Sequence, residues 1–279
     1  MDRKYKHLHR GLITLIIVAL LLIFTVVPAL AITYGEPDGN DHPFVGSMVL
    51  SLPDEGLIQW CSGTLISENV FLTASHCTDG INELVASIPG AEMLVTFDPT
   101  ISESGTFFTG TIFTNPNYNG FRGNGGASDP GDVAVIVLDE SPGITPASLP
   151  TAGLLDELKV NHILKDTRFT AVGYGTVREI NTTGFQGILD NVDRNRVEQG
   201  FLSLTKAWMF LPMTLTTGNG GTCYGDSGGP HFIHLDGVET DIVASITVTG
   251  DAPCVATDKT YRMDTESARS FLSNFVDLP

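Results

Sequence analysis

A serine set among glycines is the residue of this chain best suited to nucleophilic chemistry. Ser227 lies in the glycine-rich run Gly221–Pro230, with Asp226 before it and two glycines after it. Small neighbours leave a hydroxyl open to a substrate and let backbone N–H groups turn toward a developing oxyanion. The stretch Gly225–Gly229 also satisfies G-x-S-x-G, the nucleophile elbow of α/β hydrolases. The motif alone therefore allows two enzyme architectures.

A serine hydroxyl is a weak nucleophile, so it needs a general base, and the base needs an orienting carboxylate. His76 is the best base candidate, because it follows an apolar strand and adjoins Cys77. Asp132 is the best carboxylate candidate, because it precedes the apolar run Val133–Leu138, where a carboxylate is held rigidly and partly out of water. Asp129 is interpreted as a turn residue.

Six further histidines compete with His76 for the role of base. Two lie in the N-terminal leader described below, two lie among polar loop residues, and two follow the serine closely along one strand. The first two would be removed with the leader, a solvated role is the default for the next two, and for the last two a structural surface role is favoured over that of the base. In that order they are His7 and His9, His42 and His162, and His231 and His234.

Chain order separates the two architectures that the serine motif allows. In α/β hydrolases the serine is followed by its acid and its histidine, with several βα units still to come. Here only the last fifth of the chain follows Ser227, and it is predicted to form strands and one helix. The order His76, Asp132, Ser227 therefore favours the other architecture.

The elements that must hold these residues are predicted to be mostly β. Short runs rich in Val, Ile, Thr and Phe recur between clusters of Gly, Pro, Asn and Asp, which is typical of a sandwich or barrel. Long surface loops are predicted at 115–131 and 178–200. The predicted strands are Phe44–Leu52, Gly63–Ile66, Val70–Ala74, Phe107–Phe113, Val133–Leu138, Phe169–Val177, His231–Leu235 and Asp241–Thr249.

One helix is predicted near the C-terminus. Five apolar residues there recur at the spacing of a single helical face. Asp264 or Thr265 is expected to cap its N-terminus. The five apolar residues are Ala268, Phe271, Leu272, Phe275 and Val276.

The composition is that of a folded chain with an acidic surface. Hydrophobic residues make up 42% and charged residues 17%, which is typical of globular proteins. The formal net charge of −17 argues against nucleic-acid binding, which needs a basic surface. At 279 residues the chain can form one large all-β unit or two ordinary domains.

Residues 1–31 are predicted to be a signal peptide. Basic residues come first, Gly11–Val27 is apolar or small, and Pro28–Ala31 ends in the small-x-small pattern of a cleavage site. A retained membrane anchor is the alternative, because the apolar run reaches the short end of what spans a bilayer. Cleavage after Ala31 predicts a secreted mature chain, residues 32–279, without stable membrane association.

The cysteines are expected to form disulfides, because export leads to an oxidising compartment. Four cysteines allow three pairings, and their clustering along the chain favours Cys61–Cys77 and Cys223–Cys254. Metal binding is the weaker alternative, because the chain contains no C-x-x-C motif.

Five segments resemble the trypsin/chymotrypsin family of serine peptidases. Three of them carry His76, Asp132 and Ser227 in the family's order. Ala171–Gly175 is similar to the family's G-W-G strand, with tyrosine in place of tryptophan. Cys61–Ser67 resembles the strand before the histidine, Leu72–Cys77 the T-A-x-H-C motif, Asp132–Val135 the D-[IV]-A segment and Gly225–Pro230 the G-D-S-G-G-P motif.

The resemblance implies an all-β fold of two six-stranded antiparallel β-barrels with a C-terminal α-helix. It places His76, Asp132 and Ser227 in the cleft between the barrels, with His76 moving the proton and Asp132 fixing its tautomer. Backbone N–H groups of Gly225 and Ser227 would form the oxyanion hole. We expect protein or peptide substrates, a monomer, and no cofactor, metal or nucleic-acid partner.

The resemblance also implies a mode of activation. Family members pair a free N-terminal Ile or Val with the aspartate before the nucleophile, here Asp226. Ile32–Gly35 resembles the family's I-V-G-G start, and Ile32 is the residue that cleavage after Ala31 would expose. We hypothesise that signal peptidase itself creates the activating terminus. The alternative is that Ile32 is an ordinary first strand residue.

Substrate preference is implied by the residue six positions before the nucleophile, which lies at the base of the family's primary pocket. Trypsins carry aspartate there, whereas this chain has Gly221, followed by Thr222. We therefore expect an apolar P1 residue rather than Arg or Lys. If Asp258 instead lies near the pocket, its carboxylate would restore a preference for a basic P1 residue from another wall. The segment expected to pair with the substrate backbone is Ser245, Ile246 and Thr247.

Two other functions are consistent with parts of the sequence. An inactive family member acting as a binding module is disfavoured, because all the residues that the chemistry needs are present. An esterase on an α/β-hydrolase fold is disfavoured by chain order. Asn181-Thr-Thr183 is a glycosylation acceptor only in a host that performs that chemistry.

Overall fold

Antiparallel β-sheet dominates the chain, as the short runs rich in Val, Ile, Thr and Phe predict. The structure, a computed structural model, describes residues 32–120, 128–178 and 187–279. The predicted signal peptide (1–31) and the predicted glycosylation acceptor Asn181 lie outside the described residues.

The described residues form α-helices and β-strands with the following bounds. The helices are α1 (Ser75–Ser87), α2 (Leu154–Val160) and α3 (Glu266–Leu272). The strands are β1 (Glu36–Pro37), β2 (Val45–Leu52), β3 (Gly56–Leu65), β4 (Val70–Thr73), β5 (Glu92–Thr96), β6 (Gly110–Thr114), β7 (Ala134–Leu138), β8 (Phe169–Gly173), β9 (Val177–Arg178), β10 (Ile188–Leu189), β11 (Asn195–Gln199), β12 (Ser203–Leu204), β13 (Trp208–Pro212), β14 (Pro230–Leu235), β15 (Val238–Gly250) and β16 (Thr257–Arg262).

The first sheet has six strands in the order β5-β2-β3-β4-β7-β6. An antiparallel bridge between Val95 in β5 and Phe108, just before β6, joins its two edges into a barrel. Strand β7 reads as a continuous apolar run because it is buried on both faces, between β4 and β6.

The second sheet has the order β1-β11-β8-β14-β15-β16-β13-β12. Its strands β1 and β12 are two-residue edge strands, and the six strands between them form the second barrel. The prediction of an all-β fold with two antiparallel barrels and a C-terminal helix is confirmed. The short β9–β10 pair lies apart from both sheets.

A buried arginine links the two barrels. Arg194, just before β11, donates from Nη1 to the carbonyl oxygens of Val45 and Phe97 in the first barrel, each at 3.0 Å. Its Nε donates to Asp38 Oδ2 at 2.9 Å, and both side chains are fully buried. A buried charge is tolerated only when it is paired and hydrogen-bonded, and Arg194 meets both conditions.

The C-terminal helix forms as predicted, and the structure decides which residue caps it. Thr265 precedes α3, and its Oγ1 accepts from the Ala268 N–H at 3.2 Å. Asp264 instead accepts from Arg262 and from the Leu155 N–H, which ties the start of α2 to the end of β16.

Two parts of the sequence prediction are corrected. Helices α1 and α2 were not predicted, although Ile81, Leu84 and Val85 carry helical spacing within α1. The segment 178–200, predicted to be a surface loop, contains β11, which pairs with β8 in the second barrel. Strand β11 holds one apolar residue, Val197, so backbone pairing rather than an apolar pattern defines it.

Candidate active site

Two neighbouring strands of the first barrel bring His76 and Asp132 together. Strand β4 ends at Thr73 and β7 begins at Ala134, and these two residues are antiparallel partners. His76 therefore leaves β4 at the edge of the sheet where Asp132 enters β7. Residues far apart in the sequence meet because antiparallel strands place one end beside the other start.

The two side chains form a hydrogen-bonded pair of defined orientation. His76 Nδ1 lies 2.9 Å from Asp132 Oδ2, and the His76 backbone N–H donates to Asp132 Oδ1 at 2.9 Å. The Asp132 side chain is fully buried, whereas 22% of the His76 side chain is exposed. A buried carboxylate that accepts from Nδ1 leaves Nε2 as the ring nitrogen that can take up a proton.

A serine hydroxyl fastens the segments that carry this pair. Ser75 Oγ donates to the Val133 carbonyl at 2.8 Å, and it accepts from the Asn115 N–H at 3.3 Å. Ser75 is fully buried. The contact holds the start of α1 against the residue that follows Asp132, so the imidazole and the carboxylate are positioned by the same rigid frame.

The loop of Ser227 lies between the two barrels. In the first barrel, the Ser62 N–H of β3 donates to the Ser227 carbonyl at 2.9 Å. In the second, Thr247 of β15 exchanges backbone hydrogen bonds with Gly228 and Gly229, each at 2.8 Å. The nucleophile candidate is thereby held from both sides of the cleft.

Close contacts explain why glycines flank this serine. Gly228 has φ of +80°, and a Cβ there would overlap Thr73 Oγ1 at the end of β4.

Cys77 Sγ lies 3.6 Å from His76 Nε2 and 3.7 Å from the Ser227 carbonyl oxygen. The structure thus brings all three residues of the predicted triad to one place in the cleft.

Asp226 points into the protein rather than into the cleft. Its carboxylate is fully buried and accepts from the Gly175 and Cys223 N–H groups, each at 2.8 Å. Burial, with the charge of Asp258 adding to it, raises the Asp226 pKa to about 7. Within the described part of the chain, no lysine or arginine forms an ion pair with this carboxylate.

The residues that follow the predicted cleavage site run next to Gly221, at the start of the segment that carries Asp226 and Ser227. Ile32 is fully buried. Thr33 and Gly221 exchange two backbone hydrogen bonds, each at 3.0 Å, and Gly221 lies five positions before Asp226. The structure therefore brings the two members of the predicted activation pair into the same region of the second barrel.

A cavity of about 300 Å³ opens beside Ser227. One wall is the nucleophile loop, and the other is the end of β15 with the turn after it. Across the rim, the Tyr224 hydroxyl donates to the Ala252 carbonyl at 2.9 Å. The lining residues are Thr222, Cys223, Tyr224, Ser227, Thr247, Val248, Thr249, Gly250, Asp251, Ala252 and Cys254.

The structure places the predicted substrate-binding residues differently along β15. Thr247 lines the cavity, whereas Ser245 and Ile246 are fully buried and pair with His231 and Pro230 inside the barrel. The wall is formed instead by the three residues that follow, Val248–Gly250. Their position a few residues before Cys254, whose disulfide closes the turn, is the signal in the sequence that could have indicated these three residues.

Asp258 lies beneath the cavity floor. Its carboxylate is 1% exposed and accepts from the Thr222 N–H at 3.0 Å, the Thr222 hydroxyl at 2.7 Å and Gln199 Nε2 at 2.6 Å. It also lies against Gly221, where an added Cβ would come 2.8 Å from Asp258 Oδ2. The floor thus holds a carboxylate that already accepts three hydrogen bonds from the protein.

The four cysteines form the two disulfides that their clustering favoured, Cys61–Cys77 and Cys223–Cys254. The first joins β3 to α1 next to His76, and the second joins the two walls of the cavity. Cys61, His76 and Cys77 also lie close enough together to suggest a metal site. Because both sulfurs are in a disulfide, neither is a thiolate ligand.

Among the helices of the described residues, none has both the length and the apolar character that crossing a bilayer requires.

Comparisons with known proteins agree with this geometry. The trypsin family model matches residues 34–269. Brachyurin of Leptuca pugilator is 31% identical over 179 residues, 61% of this chain and 70% of that protein. A trypsin of Saccharopolyspora erythraea is 28% identical over 211 residues, 72% of this chain and 81% of that protein.

The fold is shared with a solved structure as well. HL collagenase matches with a TM-score of 0.61 at 17% identity, over 87% of this chain and 98% of that one. Because the family model covers most of the chain, the comparison of sequences decides the family and the comparison of structures agrees on the fold. The chain belongs to the trypsin family of serine-type endopeptidases.

Proposed function

We propose that the protein is a secreted serine endopeptidase in which Ser227 attacks the peptide carbonyl, His76 is the general base and Asp132 orients it. The observation that carries the proposal is the hydrogen bond of 2.9 Å between His76 Nδ1 and the fully buried carboxylate of Asp132, next to the Ser227 loop. An oriented imidazole beside an open serine is what activates a hydroxyl nucleophile.

The proposed chemistry follows from this orientation. Ser227 Oγ bonds to the carbonyl carbon while its proton passes to His76 Nε2, and the carbonyl oxygen becomes an oxyanion that the N–H groups of Gly225 and Ser227 receive. His76 then gives the proton to the leaving amine as the C–N bond breaks. Water repeats the sequence on the acyl-enzyme, which releases the carboxylic acid and restores Ser227.

Activation by the N-terminus is part of the proposal. Cleavage after Ala31 would give Ile32 a free ammonium in the same region of the second barrel as Asp226, a buried carboxylate that lacks a cation among the described residues. Pairing would favour the charged form of Asp226 and lower its pKa from about 7. N-terminal sequencing of the secreted active enzyme tests this step, and a start well beyond Ile32 would exclude it.

We propose that the P1 side chain is uncharged. Two carboxylates of the described residues lie at the cavity. Asp258, beneath the floor, accepts from three donors of the protein, and Asp251, in the wall, accepts from the backbone N–H groups of Val255, Ala256 and Thr257. The walls present Val248, Ala252 and the Cys223–Cys254 disulfide. Val248–Gly250 would pair with the substrate backbone along the edge of the pocket.

Export, with removal of residues 1–31, completes the proposal, and the mature enzyme acts outside the cell as a monomer. The two disulfides support this destination, because such bonds persist in oxidising compartments. Size-exclusion chromatography of the secreted protein tests the monomer.

Degradation of an unfolded protein tests the activity, with Ser227→Ala and His76→Ala as controls. We expect each substitution to lower kcat by roughly 10⁶ while the thermal unfolding temperature stays near that of the wild type. A wild-type protein that binds the substrate without cutting it, and behaves like Ser227→Ala, would instead indicate a binding module.

A further inference from the structure

We propose that Gln59 is a positioning residue for the oxyanion hole: its side-chain amide holds the Gly225 carbonyl and thereby fixes the 225–226 peptide group, which lies between the two peptide groups whose N–H donors point at the substrate. Gln59 lies in β3 and carries no chemistry of its own. The inference rests on the proposed function, because it assigns a support to the same site.

The contact is direct. Gln59 Nε2 donates to the Gly225 carbonyl oxygen at 2.8 Å, and Ser62 Oγ donates to the same oxygen at 3.0 Å. The Gln59 amide also packs over the glycine, because a Cβ on Gly225 would overlap Gln59 Oε1. Two side chains of one strand therefore grip a single peptide group of the nucleophile loop.

Gly225 needs such support because of its conformation. Its φ is +94°, in the region that only glycine enters freely, so it has no side chain that would restrain rotation. Its two peptide groups each have one backbone hydrogen bond: the Tyr224 carbonyl accepts from the Thr176 N–H at 2.7 Å, and the Asp226 N–H donates to the Cys223 carbonyl at 3.1 Å. Rotation about Gly225 would turn its N–H away from the cleft. A carbonyl held by two donors resists that rotation.

Strand β3 donates hydrogen bonds to the carbonyl groups of both residues of the proposed oxyanion hole. The Ser227 carbonyl accepts from the Ser62 N–H at 2.9 Å, while the Gly225 carbonyl accepts from the Gln59 and Ser62 side chains. Ser62 Oγ is itself fixed, because it accepts from the Tyr174 N–H at 3.0 Å. Gln59 is the part of this arrangement that can be changed without leaving a buried N–H unpaired.

The first variant is Gln59→Met, which keeps the length of the side chain and removes the donor. We expect kcat to fall about tenfold, less than the 10²–10³ lost with an oxyanion donor itself, because Ser62 still holds the carbonyl. KM should stay within about twofold, and a peptide aldehyde inhibitor should bind about tenfold more weakly. The control is Ile58→Met, one residue away with an exposed side chain.

The second variant is Gln59→Glu, which keeps the size and makes the donor dependent on pH. A protonated glutamic acid can donate to the Gly225 carbonyl, and an ionised one cannot. The ratio of its kcat to that of the wild type should therefore rise as the pH falls from 8 to 5, while the same ratio for Gln59→Met stays constant. A merely structural role would give two parallel profiles.

Three results would overturn the proposal: kcat of Gln59→Met within twofold of the wild type, a rise in KM alone, or an equal loss in Ile58→Met. A flat ratio for Gln59→Glu would overturn it even if Gln59→Met folds poorly. A wild-type enzyme that does not react with a fluorophosphonate would instead refute the proposed function, so the two failures are distinguishable.

Discussion

At the scale of single residues, the site is defined by short contacts that leave little room for substitution. The imidazole, its carboxylate and the serine lie on three segments, and hydrogen bonds to the surrounding strands hold these segments in place. The proposed triad could be selected from the sequence because each candidate has a distinctive neighbourhood: glycines around Ser227, a cysteine after His76 and an apolar strand after Asp132.

The floor of the pocket gives a prediction at this scale. Gly221→Asp restores the residue that trypsins carry, yet we expect no gain in cleavage after Arg or Lys. A Cβ at this position would overlap Met213 Cγ and lie 2.8 Å from Asp258 Oδ2, so the new carboxylate would meet both steric and like-charge repulsion. Overpacking of this kind costs about 1–3 kcal/mol.

The measurement is kcat/KM on peptides with Arg or Phe at P1, together with the thermal unfolding temperature. Gly200→Asp is the matched control, because a Cβ there meets nothing closer than 3.5 Å. An efficient Arg-cleaving Gly221→Asp enzyme of normal stability would show that the floor is more open than the contacts of Asp258 indicate.

Residues that depend on register were harder to predict. Ser245 and Ile246 have the composition expected of a substrate-binding edge, yet they lie inside the barrel, because β15 reaches the cleft only at Thr247. A shift of a few residues along a strand moves side chains from one environment to another, and the sequence pattern of β15 does not report where the strand leaves its neighbour β14.

At the scale of elements, the disulfides join the pieces that carry the site. Cys223–Cys254 links the two walls of the pocket across 31 residues, and Cys61–Cys77 links β3 to α1 across 16. Loop-closure entropy predicts that removing the first by double alanine substitution costs about 3–4 kcal/mol, and removing the second about 3 kcal/mol.

The two losses should differ in what they do to activity. Without Cys223–Cys254 the walls of the pocket separate, so we expect the ratio of kcat/KM for Phe over Ala at P1 to change. Without Cys61–Cys77 the ratio should hold while kcat falls, because α1 carries His76. Equal ratios in both variants and the wild type would show that the pocket does not depend on its disulfide.

Elements with an apolar pattern were predictable, and those defined by pairing alone were not. The runs that became β2, β4, β7 and β14 are rich in apolar residues, and the C-terminal helix has a clear face. Strand β11 has one apolar residue, and it forms a strand because its backbone pairs along its whole length with β8. Tertiary pairing of this kind leaves no local signal.

At the scale of the whole molecule, a buried network fastens the N-terminal segment to the second barrel. His42 Nδ1 is hydrogen-bonded to Asp38, and its Nε2 lies 2.6 Å from Glu239 of β15. Asp38 also pairs with Arg194, which bonds to the first barrel. Neither the closure of the barrels nor this network could be predicted from the sequence, because both join residues that local patterns do not relate.

The network gives stability a dependence on pH. Burial would lower the His42 pKa, but the hydrogen bonds and charges of Asp38 and Glu239 outweigh burial and raise it to about 9. A pKa raised by folding stabilises the protein fully below the ordinary value of about 6.5 and loses that effect as the pH rises through 9. The full contribution, below the ordinary pKa, is about 3 kcal/mol.

Denaturant unfolding of the wild type and His42→Gln at pH 6, 8 and 10 measures this contribution. We expect the difference in the free energy of unfolding to be largest at pH 6 and to shrink by pH 10. His162→Asn, at an exposed histidine, should show a difference that does not vary with pH. A constant difference for His42→Gln would mean that His42 is uncharged in the folded protein.

The central claim is that Ser227 is a nucleophile activated by His76. Mass spectrometry of peptides from the mature protein after reaction with a fluorophosphonate tests it most directly. The account predicts one covalent adduct, on Ser227, that is absent from Ser227→Ala and forms far more slowly in His76→Ala. An adduct on another residue, or an unmodified Ser227 in a preparation that cuts its substrate, would contradict it.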